Sequence, residues 1–235
     1  MYKTKLLTLL TAGVALAAAF PAAASVTIST GVSNTTLAKG GSGTTIYFNG
    51  QANGTVVSGV SSNMFLQLTS QTLTSATFDF VINNTSITNT FTPATTSNLS
   101  GFGFDSSPDI LSGSTTDALY LNTSSGSISN GMKVEFCFTA GPNCAGGANG
   151  GISAGQTTNG KFTLNYTTLP SAFTLSNFIV RYQNLPQPAG SGIGIPVPGA
   201  VPEPATWAMM LIGFGAMGVS LRRSRHRLSR DLRVA

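Results

Sequence analysis

Five carboxylates are the only acids between residues 25 and 200: Asp79, Asp105, Asp109, Asp117 and Glu135. Two of them facing one another across a cleft would suit glycoside hydrolysis, one as acid and the other as base or nucleophile. Asp79 and Glu135 alternate with apolar neighbours, however, and read more simply as solvated strand faces. Asp105 and Asp109 flank Ser106-Ser107-Pro108, and Asp117 lies eight residues further on. Oxygen ligands in such a loop can hold calcium, so these three are the calcium candidates. The EF-hand and nonapeptide calcium patterns are absent, and Asp before Ser-Ser-Pro is also ordinary turn chemistry. No cofactor is expected.

The only histidine, His226, lies among C-terminal arginines. Residues 25–200 therefore contain no imidazole for a Ser-His-Asp or Cys-His device, and the chain is expected not to be an enzyme. The Gly-rich run 145–151 lacks the Lys-Ser/Thr ending of a phosphate cradle. Tyr47, Tyr120, Tyr166 and Tyr182 could stack on sugars, although aromatic residues in β proteins more often pack cores. Cys137 and Cys144 are the only cysteines. An even count in an exported chain favours a disulfide, and neither the spacing nor a nearby histidine suits a redox or zinc site.

The elements that carry these residues read as β throughout. Runs 26–29, 44–48, 64–69, 72–82, 86–91, 118–122, 132–139, 161–166 and 173–182 alternate apolar and polar residues or are β-branched. Phe78, Phe80 and Ile82 share one strand face, and Val134, Phe136 and Phe138 share another, with Cys137 opposite them. Asn-Gly and Gly-rich punctuation supplies turns that tolerate positive φ. Many short strands with such turns predict an all-β domain, an antiparallel sandwich or jelly roll. From residue 187 proline and glycine predict a semi-rigid linker. The organisation expected is a signal peptide at 1–24, a β domain at 25–185, a linker at 186–200 and a C-terminal segment at 201–235.

Both ends read as targeting segments. Lys3 and Lys5 precede an apolar stretch over residues 6–20. Pro21 and Ala22-Ala23-Ala24 come next, so cleavage is expected between Ala24 and Ser25 by signal peptidase after Sec export. Residues 205–221 are apolar, at the short end of the membrane-spanning range. Six arginines lie between residues 222 and 233, which keeps that end cytoplasmic and the body outside. The formal charge of +5 therefore resides in the ends. Lys39, Lys133, Lys161 and Arg181 against the five carboxylates leave the body one negative charge. A body without a basic face is not a nucleic-acid binder.

Val201-Pro202-Glu203-Pro204-Ala205-Thr206-Trp207-Ala208, then Gly213-Phe214-Gly215 and the arginines, resembles the PEP-CTERM sorting signal of Gram-negative bacteria in its variant with Trp and Ala after the triplet. The resemblance implies recognition of Pro202, Glu203, Pro204 and Trp207 by exosortase, a membrane-embedded transpeptidase. In the body, Gly101-Phe102-Gly103-Phe104-Asp105, Asn143-Cys144-Ala145-Gly146-Gly147 and Val180-Arg181-Tyr182-Gln183 resemble the cistern group of PEP-CTERM proteins. These resemblances imply an exported protein that passes through an inner-membrane intermediate to the cell surface or extracellular matrix. There it would serve as a structural component associated with exopolysaccharide and biofilm. The alternative is a glycan-binding module, or less readily an ice-binding one.

Overall fold

The computed structural model describes residues 24–87, 97–129, 131–146, 150–185 and 188–198, with Phe214 alone beyond them. Thirteen strands appear among these residues, all in one sheet. They are β1 (Ser25–Ser29), β2 (Asn34–Ala38), β3 (Thr44–Ala52), β4 (Thr55–Gln71), β5 (Ser75–Asn84), β6 (Asn98–Ser107) and β7 (Ser112–Thr115). The remainder are β8 (Asn122–Ser129), β9 (Met132–Thr139), β10 (Ile152–Ser153), β11 (Thr157–Asn165), β12 (Ala172–Leu185) and β13 (Gly190–Val197).

Period-two patterning decides which way each strand faces. Along β5 every second residue is buried: Ala76, Phe78, Phe80, Ile82 and Asn84 point inward. On β4 the inward residues are Met64, Leu66 and Leu68, and on β11 Phe162 and Leu164. Phe78 stacks on Phe162 with ring centroids 4.9 Å apart, and Phe102, Phe104 and Phe138 close around the same ring. Burying each such side chain contributes roughly 1.5–3 kcal/mol, which fixes strand register because a one-residue slip would turn the whole set outward.

The hydrogen-bonded path runs β7-β11-β5-β4-β3-β13-β12-β6-β9-β8, and the sheet curls until its ends nearly meet. The two layers of the expected sandwich are thus one continuous, nearly closed and mostly antiparallel sheet. The ends approach where Gly113 of β7 meets Phe136 of β9, the strand beside β8: a Cβ on Gly113 would lie 2.6 Å from that ring. Between β12 and β4 the gap is bridged twice. One bridge is β13 and β3. The other is the β1–β2 hairpin, with β1 parallel to β12 and Gly40 N donating to Leu68 O at 2.8 Å.

Several expected boundaries move. Residues 72–74 form a turn, because Thr72 Oγ1 accepts from Thr74 N and Ser75 N, so β5 starts at Ser75. Residues 118–121 are not a strand: Asp117 Oδ1 accepts from Leu119 N and Tyr120 N and bends the chain. Residues 85–87 are irregular, and the rest of the expected 86–91 strand lies outside the described residues. The expected linker contains β13, paired on both sides in the middle of the sheet. Val134 also departs from expectation. The register between β8 and β9 shifts between Ser124 and Gly126, and Val134 joins Cys137 in a second cluster rather than Phe136 and Phe138 in the main core.

Candidate functional site

The β9 irregularity organises two of the five carboxylates, Glu135 and Asp105. Glu135 accepts from Ser106 N at 2.8 Å through one oxygen and from Ile110 N through the other. Its own N–H donates to Asp105 Oδ1 at 2.7 Å. Asp105 Oδ2 accepts from the Asn177 side chain at 2.9 Å, and Asn177 sits at φ 50° where the register of β12 shifts against β6. These carboxylates stand in for ladder bonds that the irregular backbone cannot make, as buried donors and acceptors require. Asp117 is 3 % exposed, and its second oxygen accepts from Thr158 Oγ1. Asp79 faces outward and pairs with Lys161.

The calcium candidates are therefore not brought together. Asp105 and Asp117 are each engaged in local structure. Among the described residues no three His, Cys, Asp or Glu side chains gather to hold a metal. Asp109 is exposed and lines a cleft of about 660 Å³ at the seam of the sheet, together with Ser112, Ser124 and Phe136. Glu135 lines the same cleft, but both its oxygens hold backbone N–H groups.

The four tyrosines divide sharply. Tyr47 is 42 % exposed on the outer face of β3. Tyr120, Tyr166 and Tyr182 are buried, which removes them as stacking platforms. Tyr120 donates to Leu99 O at 2.8 Å, and the Tyr182 hydroxyl bonds Ser62 Oγ at 2.6 Å, so each of these buried hydroxyls has a partner. Burial pushes all three phenols well above their ordinary pKa, with Asp117 adding to the effect on Tyr120.

Cys137 and Cys144 are joined, with Cα atoms 5.7 Å apart. They belong to the second apolar cluster, with Ile128, Val134, Ile179 and Ile193. Beside it lies Arg181, 9 % exposed. Its Nε donates to Ala145 O at 2.9 Å, Nη1 to Ser129 Oγ and Gly192 O at 2.9 and 3.0 Å, and Nη2 to Ser191 Oγ at 3.1 Å. Every acceptor is neutral, and burial lowers the guanidinium pKa. Arg181 thus ties the disulfide loop, β8 and β13 together. Its one sequence signal is an arginine directly after the apolar run Phe178-Ile179-Val180 of β12.

At the chain's N-terminal side, Ser25 is the first residue of β1, and its N–H donates to Ser171 O at 2.8 Å. Ala24 O accepts from Lys39 N at 2.9 Å. The expected cleavage point therefore falls at the first rung of the sheet. Residues 1–23, most of the expected signal peptide, lie outside the described residues, as do Pro202, Glu203, Pro204 and Trp207. Of the expected span only Phe214 is described, and no helix among the described residues is long and apolar enough to cross a membrane. Compared with protein-family models, residues 200–225 match the PEP-CTERM protein-sorting motif.

The chain carries a PEP-CTERM motif.

That motif implies export, processing by exosortase, and an envelope or surface location in a bacterium. The PEP-CTERM match starts three residues after Val197, the last residue of β13. It covers the tail alone, so the cistern resemblance of the body remains an expectation. No curated protein matches the chain, and no solved structure does.

Proposed function

We propose that the chain is a non-enzymatic surface or matrix protein of a Gram-negative bacterium. Sec exports it, signal peptidase cuts it between Ala24 and Ser25, and exosortase sorts it into an environment of extracellular polysaccharide. The observation that carries this reading is the PEP-CTERM motif, attached directly to a β body whose carboxylates are mostly spent on structure. The test is cell fractionation in strains with and without exosortase. A shortened, relocated form only where the enzyme is present supports the reading, and an unchanged full-length membrane form in both strains overturns it.

A second reading, a glycan-binding or less readily ice-binding module, rests on the outer face. Thr157, Asn83, Asn63 and Tyr47 form one row across β11, β5, β4 and β3. Thr157 donates to Asn83 Oδ1 and Asn83 to Asn63 Oδ1, both at 2.6 Å, so the row is ordered and ends at an exposed ring. Neighbouring strands place its members about 4.8 Å apart. A glycan array and an ice-recrystallisation assay on residues 25–198 test it, and blank results in both leave the structural reading alone.

A further inference from the structure

A buried cation needs either a counter-charge or enough neutral partners to replace its water, and Arg181 has only the second. All five carboxylates of residues 25–200 are described, and the one ion pair among the described residues is Lys161 with Asp79. Asp105, Asp117 and Glu135 hold their own segments, and Asp109 lies in the seam cleft. Two acceptors of Arg181 are the hydroxyls of Ser129 and Ser191. A hydroxyl that accepts from a guanidinium keeps its own proton to give, so the positive charge is passed to donors one layer out. Ser129 opens on a cavity. Arg181, Ile193 and Gln51 form one row across β12, β13 and β3, so their side chains share a face. Beside Ile193, Ser129 and Met132 from the β8–β9 turn stand around a cavity of about 200 Å³, which Gln51, Asn53 and Gly192 also line. Ser129 Oγ and Gly192 O, both in its wall, accept from the same Arg181 Nη1 at 2.9 and 3.0 Å, so the guanidinium lies one hydrogen bond behind it. No carboxylate lines the cavity. Its volume lies below the roughly 300–1,000 Å³ of drug-sized sites, which suits one small group.

We propose that this cavity is an oxyanion site, which takes a small carboxylate, sulfate or phosphate group. Ser129 donates to the anion, Arg181 supplies the charge from behind the wall, and Met132 and Ile193 form the apolar side. The counter-charge that the body's own carboxylates do not provide comes from the ligand. The site is separate from the exposed row that ends at Tyr47, and it does not rest on the sorting reading.

The test is calorimetric titration of the purified full chain, held in mild detergent, with sodium sulfate and with sodium acetate. Sodium chloride keeps the ionic strength constant, so general screening does not change. Saturable binding is expected. Uptake of sulfate alone marks an inorganic anion as the ligand, and uptake of acetate marks a carboxylate group. Arg181→Gln is expected to abolish the uptake. Should that variant fail to fold, Asn53→Asp decides. Asn53 is exposed at φ 51°, a conformation that Asp also adopts, and a negative charge there is expected to weaken binding about tenfold. Leu73→Asp, beyond the other end of β4, is expected to leave it unchanged. The absence of saturable binding by either anion overturns the inference. So does binding that Asn53→Asp leaves at parental strength, because the anion then sits elsewhere.

Discussion

Arg181 carries a buried charge that no carboxylate among the described residues pairs with, so its worth lies in its hydrogen bonds. Four neutral acceptors on three separate segments depend on it. Arg181→Ala takes the donor from one buried and three part-buried acceptors, and urea denaturation is expected to show a loss of about 1–3 kcal/mol. The disulfide beside it closes a short loop, and Cys137→Ser with Cys144→Ser is expected to cost about 2.5 kcal/mol on the chain-entropy estimate. Reductant should then no longer shift the midpoint of the double variant. The buried tyrosines set the alkaline limit. Their folded pKa values are raised, so the unfolded chain loses protons first as pH climbs past about 10. Their contribution is complete below that pH and drains away above it. Unfolding followed at 295 nm should therefore coincide with tyrosine ionisation, and Tyr120→Phe should soften the loss.

Among the elements, the β9 irregularity and β13 depart most from what alternation predicts. At β9, Glu135 replaces backbone partners for Ser106 and Ile110, and Val134 is buried in the second cluster instead of the main core. Glu135→Ala is expected to destabilise by about 1–3 kcal/mol and to raise hydrogen exchange at Ser106 and Ile110, a local signature that a general loss of packing would not give. β13 reads Gly-Ser-Gly-Ile-Gly-Ile-Pro-Val. A linker is what proline and glycine suggest there, yet Ile193, Ile195 and Val197 alternate as a strand should. The inward glycines are needed because Tyr182, Val180 and Phe48 already fill the space. Glycine here signals close approach between strands rather than flexibility.

For the whole molecule, the placement of β13 moves the end of the folded body past residue 185. A chain of residues 25–185 lacks the strand that joins β3 to β12, and it exposes two unpaired edges and the main core. It is expected to lose near-UV circular dichroism and aggregate, whereas residues 25–198 fold. Equal, sharp NMR dispersion from both chains would refute this placement. The slow step of folding should also involve β13, since the sheet closes only when its last strand arrives across a large sequence separation.

The chain's class and its address are legible from the order of its residues. Period-two alternation needs only neighbours two residues apart, so strands such as β5 and the inward faces of Phe78, Phe80 and Ile82 can be read directly. The sorting tail is legible because a short, contiguous peptide is read by a partner as sequence. The pairing of Cys137 with Cys144 is legible because no other cysteine competes. Everything else waits on packing. Whether Tyr47 is a surface ring and Tyr120 a core one depends on which face of which strand is covered. Whether Asp105 and Asp117 hold an ion or a turn depends on donors contributed by Glu135, Asn177 and Thr158, far away in sequence. That a glycine-rich run before the tail is a central strand depends on the bulk of side chains on β12 and β3. Packing between distant segments is a property of volumes in contact, and no local spacing encodes it.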